Sequence, residues 1–597
     1  MKKLLVTMIV VCLCVGMGFS VDNQVNQQKI YPVDSEVYQA ITLLFINQGL
    51  ALPSTTGPWS ADELSGMLDK IDRSELAEGA KNAYDFAAEQ LGKGGRAVRF
   101  GLDVALEGYY HTDTVNFTKE EQWIRGFDER SPLLDIVLET WPSTHFYGYT
   151  SLSVGNNMYN GFSATEGATS TLFGSSALTT NIIMVPPAVM RDLDFSMPYR
   201  AFGAIGGDGW SAQVGRDKLS WGPGVSGNFV IGDHVRYHNV GRITMYGDSF
   251  KYTFATSFFP HPSEYYPVID GSGNFINSSN QHVVTPSGLN MFMAHRLEWR
   301  LFSDKVGIAL TEAIMYQSED NTLDLRVLNP VMIYHNYYLR SNSNSIISIE
   351  LDYSPISFLN LYGQMAVDEF PLPGEPVPGV AQWALPNGFG YMVGAKGSYP
   401  MGNGFFFGSL EWAQTDPYLY LRDAGKANAG TEYQQDFGDY GINWVVAIRQ
   451  FTDFATVFEE QFLGYQYGGD AVVINANAGY KVFGNWSVEG NVFYMLHGTH
   501  DKWTLWHGVG NGDGTNPVDG GTPTDVHETD NNGDLNADLR DAVSQTMVIG
   551  VKGGYIILPH LNVYGQLDYI NIVNPGNLST NAPISDVQMT LGVSYSL

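Results

Sequence analysis

Cysteine is nearly missing from this chain. Among 597 residues only Cys12 and Cys14 occur, both inside the uncharged apolar run from Leu4 to Val15. Lys2 and Lys3 precede that run, and Gly18 and Ser20 stand at the −3 and −1 positions of a cleavage site before Val21. A basic start, a short apolar stretch and small residues at the cut read as a secretory signal peptide over 1–20. Once it is removed no thiol remains, which excludes disulfides, thiol catalysis and thiolate metal sites. Long apolar runs are missing too. After the signal there is no stretch of about 18 apolar residues, so no transmembrane helix is expected.

Charge is also scarce. Asp, Glu, Lys and Arg make up 16% of the chain, where a soluble domain carries about a quarter. The charge present is mostly acidic: the net value is −30, or −32 once Lys2 and Lys3 are gone. Such a surface repels phosphate backbones, so nucleic acid is not an expected partner. Hydrolase signatures are absent as well, with no G-x-S-x-G, no H-E-x-x-H and no P-loop. The expectation is a non-enzymatic protein without a cofactor. What the chain has in quantity is 66 glycines, 34 tyrosines and 13% aromatic residues. Low charge with abundant aromatics and glycine suits a sheet that has one face in lipid.

Residues 34–92 differ from all that follows. Asp34 is placed to cap a helix carrying Val37, Ile41, Leu44 and Phe45 on one stripe, and Gly49 stops it. Ser60 and Glu63 are spaced as a capping box before Leu64, Met67, Leu68 and Ile71. Ser74 opens a third stretch with Leu76, Ala80, Ala83, Tyr84 and Ala87, ending near Gly92. This reads as a small helical bundle on the periplasmic side, joined to the signal by a linker over 21–33.

From about residue 97 the apolar period changes from 3.6 to 2 and stays there. In the last eleven residues Val587, Met589, Leu591, Val593, Tyr595 and Leu597 alternate with Gln588, Thr590, Gly592, Ser594 and Ser596. That is the length and pattern of a tilted membrane strand. Short turns at 302–305, 450–453, 482–485 and 558–560 alternate with long connections at 156–192, 217–239, 259–290, 317–345, 369–388, 415–441 and 498–544. Strict short–long alternation is how outer-membrane barrels are built. The fold expected over 97–597 is a transmembrane antiparallel β-barrel of about 18 strands, within a range of 16–20.

Several segments stand out. Arg216 is followed by Trp221-Gly222-Pro223-Gly224, Asn329-Pro330 by Tyr334, and Tyr362-Gly363-Gln364 by Asp368-Glu369. Arg296, Glu298 and Arg300 share one strand face, where they can form a lumen salt network. In the Asp-rich stretch 530–541, Asp530, Asn532, Asp534 and Asp541 are spaced like calcium ligands, but Leu535 stands where glycine belongs and no Glu closes the frame. A solvated acidic loop is the better reading of that stretch. Trp123, Trp221, Trp383, Trp503 and Trp506 fall in expected outer loops, where an indole can stack on a sugar; a membrane-interface girdle is their plainer reading.

Taken in order, the G-R…W-G-P-G, N-P-x-x-x-Y and L-Y-x-Q-x-x-x-D-E stretches resemble those of the Wzi family of capsule-assembly outer-membrane proteins. The chain departs from the commonest barrel ending: it closes on Leu597, with an aromatic only at Tyr595. The resemblance implies an 18-stranded barrel that holds capsular or surface polysaccharide without catalysis. Its partners would be outer-membrane lipid, that polysaccharide, and the barrel-insertion machinery during biogenesis. The rival reading from the residues alone is a porin or transporter channel, because a barrel of this size can enclose a polar lumen.

Overall fold

The computed structural model describes residues 25–94, 97–118, 123–125, 129–154, 161–163, 167–169, 177–181, 200–265, 268–269, 271–276, 282–284, 287–318, 321–323, 325, 329, 334, 343–370, 387–421, 442–451, 456–502, 504, 521–525 and 539–597. The expected signal peptide lies outside them.

Alternating sequence builds one closed sheet. Its strands are β1 (Val98–His111), β2 (Leu134–Ser143), β3 (Phe146–Val154), β4 (Ala201–Gly207), β5 (Trp210–Asp217) and β6 (His238–Tyr246). They continue with β7 (Phe250–Phe259), β8 (Leu289–Leu301), β9 (Val306–Ser318), β10 (Ser343–Ile356), β11 (Leu359–Glu369) and β12 (Gly388–Met401). The last six are β13 (Gly404–Thr415), β14 (Ala471–Val482), β15 (Trp486–His497), β16 (Ser544–Leu558), β17 (Leu561–Val573) and β18 (Ile584–Ser596).

Each strand pairs antiparallel with its neighbours in sequence, and β18 returns to β1 through Gln588↔His111 to Ser596↔Asp103. The pairing of β3 with β4, Thr150↔Ala201 to Phe146↔Ile205, completes the ring of 18 strands. Closure leaves no sheet edge unpaired in the membrane. Side-chain direction follows the period of two. On β18, Leu591, Val593 and Tyr595 are exposed on the outer wall while Gln588 and Thr590 are buried in the lumen.

Connections alternate in length all the way round. Hairpins such as those at 208–209, 302–305, 402–403 and 559–560 are tight, and every connection at the other end is longer. One expected turn does not belong to this set. The strands Val445–Phe451 and Thr456–Phe462 pair only with each other, while β13 pairs directly with β14. The whole of 416–470 is therefore a single long-end connection that carries its own hairpin. Its strands alternate as barrel strands do, which is why the sequence pattern does not separate them.

The helices cover the short-turn end. They are α1 (Glu36–Gln48), α2 (Ala61–Leu68) and α3 (Glu78–Gly92). Ser35, not Asp34, caps α1, and Gly49 ends it with φ of 70°. Ser60 accepts from the Glu63 amide, but the Glu63 carboxylate turns away to Lys251, so the expected capping box is only half formed. The third helix starts at Glu78 after a short 3-10 turn at Arg73–Glu75, later than Ser74.

These helices share a core with the barrel end through Phe405, with the Phe86 and Phe483 ring centres 5.5 Å apart and tilted by 31°. Backbone bonds fix the joint: Phe358 N donates to Ile46 O at 2.8 Å and Ala51 N to Asp304 O at 2.7 Å. Lys481 adds bonds to Glu36 at 2.6 Å and Gln39 at 2.7 Å.

Candidate functional site

The lumen is filled by chain from both ends. After β5 the backbone leaves the wall at Asp217 and turns inward, instead of rising above the rim. Ser220 and Trp221 pair antiparallel with Gly57 and Thr56, which enter from the helical end. Trp221 also bridges to Ile231, and the Gly222 amide donates to Thr55 O at 3.1 Å. The Trp221 side chain is 0% exposed, within an apolar cluster that includes Phe229, Trp444 and Tyr465. Inner-wall residues from Val240 on β6 to Val473 on β14 complete that cluster. The indole expected at the mouth of a surface loop therefore has no face free for a sugar.

Crowding explains the glycines. Gly222 has φ of +136°, and a Cβ there would lie 2.2 Å from Asn228 Oδ1. At Gly224 a Cβ would lie 1.9 Å from Gly227 O. The Trp-Gly-Pro-Gly stretch is thus shaped by close approach inside the lumen.

Polar side chains on the inner wall hold this loop. Glu411 on β13 is 1% exposed and accepts from Val225 N at 2.8 Å, Ser226 N at 2.8 Å, Ser226 Oγ at 2.5 Å and Tyr362 Oη at 2.6 Å. Gln364, two residues along β11 from Tyr362, accepts from Phe229 N at 3.0 Å and donates to Glu350 at 2.9 Å. Lys396 donates to Pro223 O at 2.6 Å and stands 4.9 Å from the centre of the Tyr362 ring. Asp368 accepts from Tyr420 N at 2.8 Å, and Tyr420 Oη donates to Phe229 O at 2.7 Å. From the 416–470 connection, Trp444 Nε1 donates to Val230 O at 3.1 Å. The Tyr362, Gln364 and Asp368 positions singled out by sequence are brought together as a clamp.

Below the clamp lies the charged network expected of β8. Arg296 makes a bidentate pair with Glu350 at 2.5 and 2.7 Å and also donates to Glu298 at 3.0 Å. Its Nη2 reaches Thr55 Oγ1 at 2.8 Å, while Thr56 Oγ1 donates to Glu298 at 2.7 Å. Buried charges of both signs are tolerable here because their bonds are made to each other and to the inserted segment. Chemically the arrangement holds a plug: the carboxylate oxygens of Glu411 and Glu350 are committed to donors that fix the loop.

Other expected site residues fall elsewhere. Arg216 points to the outer wall near the long-loop end, 3.9 Å from the Tyr237 ring centre, and donates to Asn239 at 3.1 Å. Trp123 is buried beside Tyr109, with its ring 4.6 Å from His111. Tyr334 is buried against Met291, Met293, Ile314 and Tyr316, which face outward on β8 and β9. It lies 5.0 Å from His295, whose Nε2 meets Glu312 at 2.9 Å. Tyr334 thus lies on the outside of the wall. Glu369 ends β11 and pairs with Gly388 on β12.

Trp383, Trp503, Trp506, Pro330, Asp530, Asn532 and Asp534 lie outside the described residues. Of the calcium-like frame only Asp541 is described, and its oxygens take Ser579 N at 2.7 Å and Ser579 Oγ at 2.6 Å. Among the described residues no group of three His, Cys, Asp or Glu is placed to hold a metal. Sequence reasoning missed Glu411, Lys396, Trp444 and Tyr420. A visible signal existed for Glu411, a carboxylate on the inward side of an alternating membrane strand.

A closed sheet with an apolar outer wall defines an outer-membrane β-barrel, and the described part of this one carries a buried cluster inside it. No family model matches the sequence, and no curated protein matches it. Among solved structures the chain has the fold of Wzi from Escherichia coli, described as an outer-membrane protein involved in group 1 capsule assembly and a carbohydrate-binding β-barrel. Identity is 13%, the TM-score is 0.54, and the match covers 95% of this chain and 98% of that one. The outer-membrane channel DcaP of Acinetobacter baumannii matches at 8% identity and a TM-score of 0.32, over 84% of this chain and 97% of its own. OprD of Pseudomonas aeruginosa matches at 9% and 0.35, over 84% and 95%.

Proposed function

We propose that this protein holds a polysaccharide at the cell surface through its long loops, without catalysis, and that its helical end faces the periplasm. The observation that carries the reading is the filled lumen. A solute channel keeps a polar passage open, whereas here Trp221, Phe229, Trp444 and Tyr465 occupy the interior as one buried cluster. The long connections all leave the barrel at one end. Carbohydrate binding by Wzi, whose fold this chain has, supports the same reading.

In this account the Trp-Gly-Pro-Gly loop, Tyr362, Gln364 and Glu411 are positioning residues that keep the barrel closed beneath the loops. Stacking on sugar falls to aromatics of the long connections, with Trp383, Trp503 and Trp506 the first to examine. Glycan-array binding by the purified barrel tests this. Specific binding that weakens on Trp383→Ala, Trp503→Ala or Trp506→Ala is the expected result. Absence of binding to every glycan, together with a steady ohmic conductance in planar bilayers, would replace the reading with a pore.

A further inference from the structure

The inner wall changes character between β14 and β18. On the plug side Arg296, Glu350 and Glu411 are buried. Further round, Glu489 on β15, Lys552 on β16 and Gln566 on β17 are direct cross-strand partners in one inward row. Lys552 Nζ stands 3.6 Å from Glu489, and its side chain is 59% exposed. Yet Lys552 lies in the middle third of its strand, and its outward neighbours Ile549 and Val551 face lipid. An inward ammonium group at membrane depth that protein leaves uncovered stands in water.

Two rows follow towards the long-loop end. Asn491, Gly550 and Asp568 are partners in the first, still polar. Phe493, Val548 and Ile570 are partners in the second, and this row is apolar. Phe117, from the connection after β1, is buried against it, with Ile124, Ile572 and Ile584 alongside. That connection is held to the wall by Ile124 N donating to Gln588 Oε1 at 2.9 Å and by Arg125 donating to Glu107 at 2.6 Å. The Phe493 ring also lies 5.3 Å from Tyr467, which packs on the plug cluster, so the apolar row is continuous with the plug.

A hydrated polar wall that ends at one apolar layer has the construction of a hydrophobic gate, which stays dry and shut until it is wetted. We propose that the arc from β15 to β18 is a second compartment of the lumen, a gated path for small inorganic cations. Phe117, Phe493, Val548 and Ile570 form its gate. Cations are favoured because Glu489 and Asp568 outnumber Lys552 on the inward rows. The path is independent of polysaccharide holding by the long loops, and a shut gate leaves the resting barrel closed.

Single-channel recording of the full-length protein in planar bilayers under a potassium chloride gradient tests this. The parent should be silent. Val548→Thr/Ile570→Thr keeps β-branched side chains and adds hydroxyls to the gate, so stepwise openings are expected, with a reversal potential on the potassium side. Adding Lys552→Glu, which lies in the path but outside the gate, should move that potential further towards potassium. A folded gate variant that stays silent would mean a blind pocket, and openings indifferent to Lys552→Glu would mean that ions pass elsewhere. Steady conductance by the parent would mean that the apolar layer is no gate. Each of these results overturns the proposal. If Val548→Thr/Ile570→Thr fails to show the mobility of a folded barrel, Phe117→Asn decides, since Phe117 lies outside the sheet.

Discussion

Trp221 and Thr56 are antiparallel partners inside the barrel, so the loop that enters from the long-loop end meets the segment that enters from the helical end. The two closures are one hydrogen-bonded structure. Trp221→Ala removes the largest side chain at that junction, and a buried aromatic truncated to alanine costs about 3–5 kcal/mol. The expected outcome is a lower urea midpoint for the folded barrel in detergent. Unchanged stability with lost glycan binding would return the indole to the role of sugar platform.

Glu411→Ala tests the clamp. Four donors would lose their acceptor and Lys396 its nearby carboxylate, a change of about 3–5 kcal/mol for a buried charged group. The 222–228 loop should loosen, and planar-bilayer recordings should show openings that the parent protein lacks. A variant as silent as the parent would mean the apolar cluster alone keeps the lumen closed.

The outer wall gives a third expectation. Tyr334 covers Met291, Met293 and the His295–Glu312 pair on the lipid side. Exposing ionisable groups to lipid costs free energy, about 2–4 kcal/mol for Arg or Lys at the bilayer midplane and less for a carboxylate. Tyr334→Ala should therefore destabilise the barrel in bilayers, and Tyr334→Phe should not, since the Tyr334 hydroxyl has no partner among the described residues. Equal stability of all three proteins would show that this cover is dispensable.

Acid should loosen the loop after β7. His261 Nδ1 accepts from Ser263 N at 3.2 Å, and burial pushes the imidazole down to about 4 from its usual 6.5. The folded loop therefore favours the neutral ring, while the opened loop binds a proton below about pH 6.5. Stability is fully present above that value and falls as pH drops towards 4, by about 2 kcal/mol at pH 5. Amide exchange across 261–265 should accelerate between pH 7 and pH 5 after correction for intrinsic rates. The effect should vanish in His261→Gln, and a pH-independent loop in the parent protein would contradict it.

Much of this architecture was legible in the sequence because a membrane strand is written in a period of two. Val587 to Leu597 and Leu361 to Val367 show which residues face lipid, and connection length separates the two ends of the barrel. The inward course of 218–237 was not legible. Pro and Gly spell a turn equally well whether it lies in water or in a lumen, and nothing in Trp221-Gly222-Pro223-Gly224 records that Thr56 is its neighbour. The hairpin at 445–462 misled for the opposite reason, since its alternation answers to the apolar cluster in the lumen and not to lipid. Tyr362, Gln364 and Asp368 were visible as a pattern, but their common task appears only once β11 is set beside β13 and the loop.

The most direct test of the surface role is the partition of polysaccharide between cells and medium when this protein is deleted and then restored. The account predicts that total polysaccharide stays constant while the cell-attached fraction falls, and that the intact protein restores it. An unchanged attached fraction, accompanied by slower uptake of small solutes in the deletion strain, would contradict it.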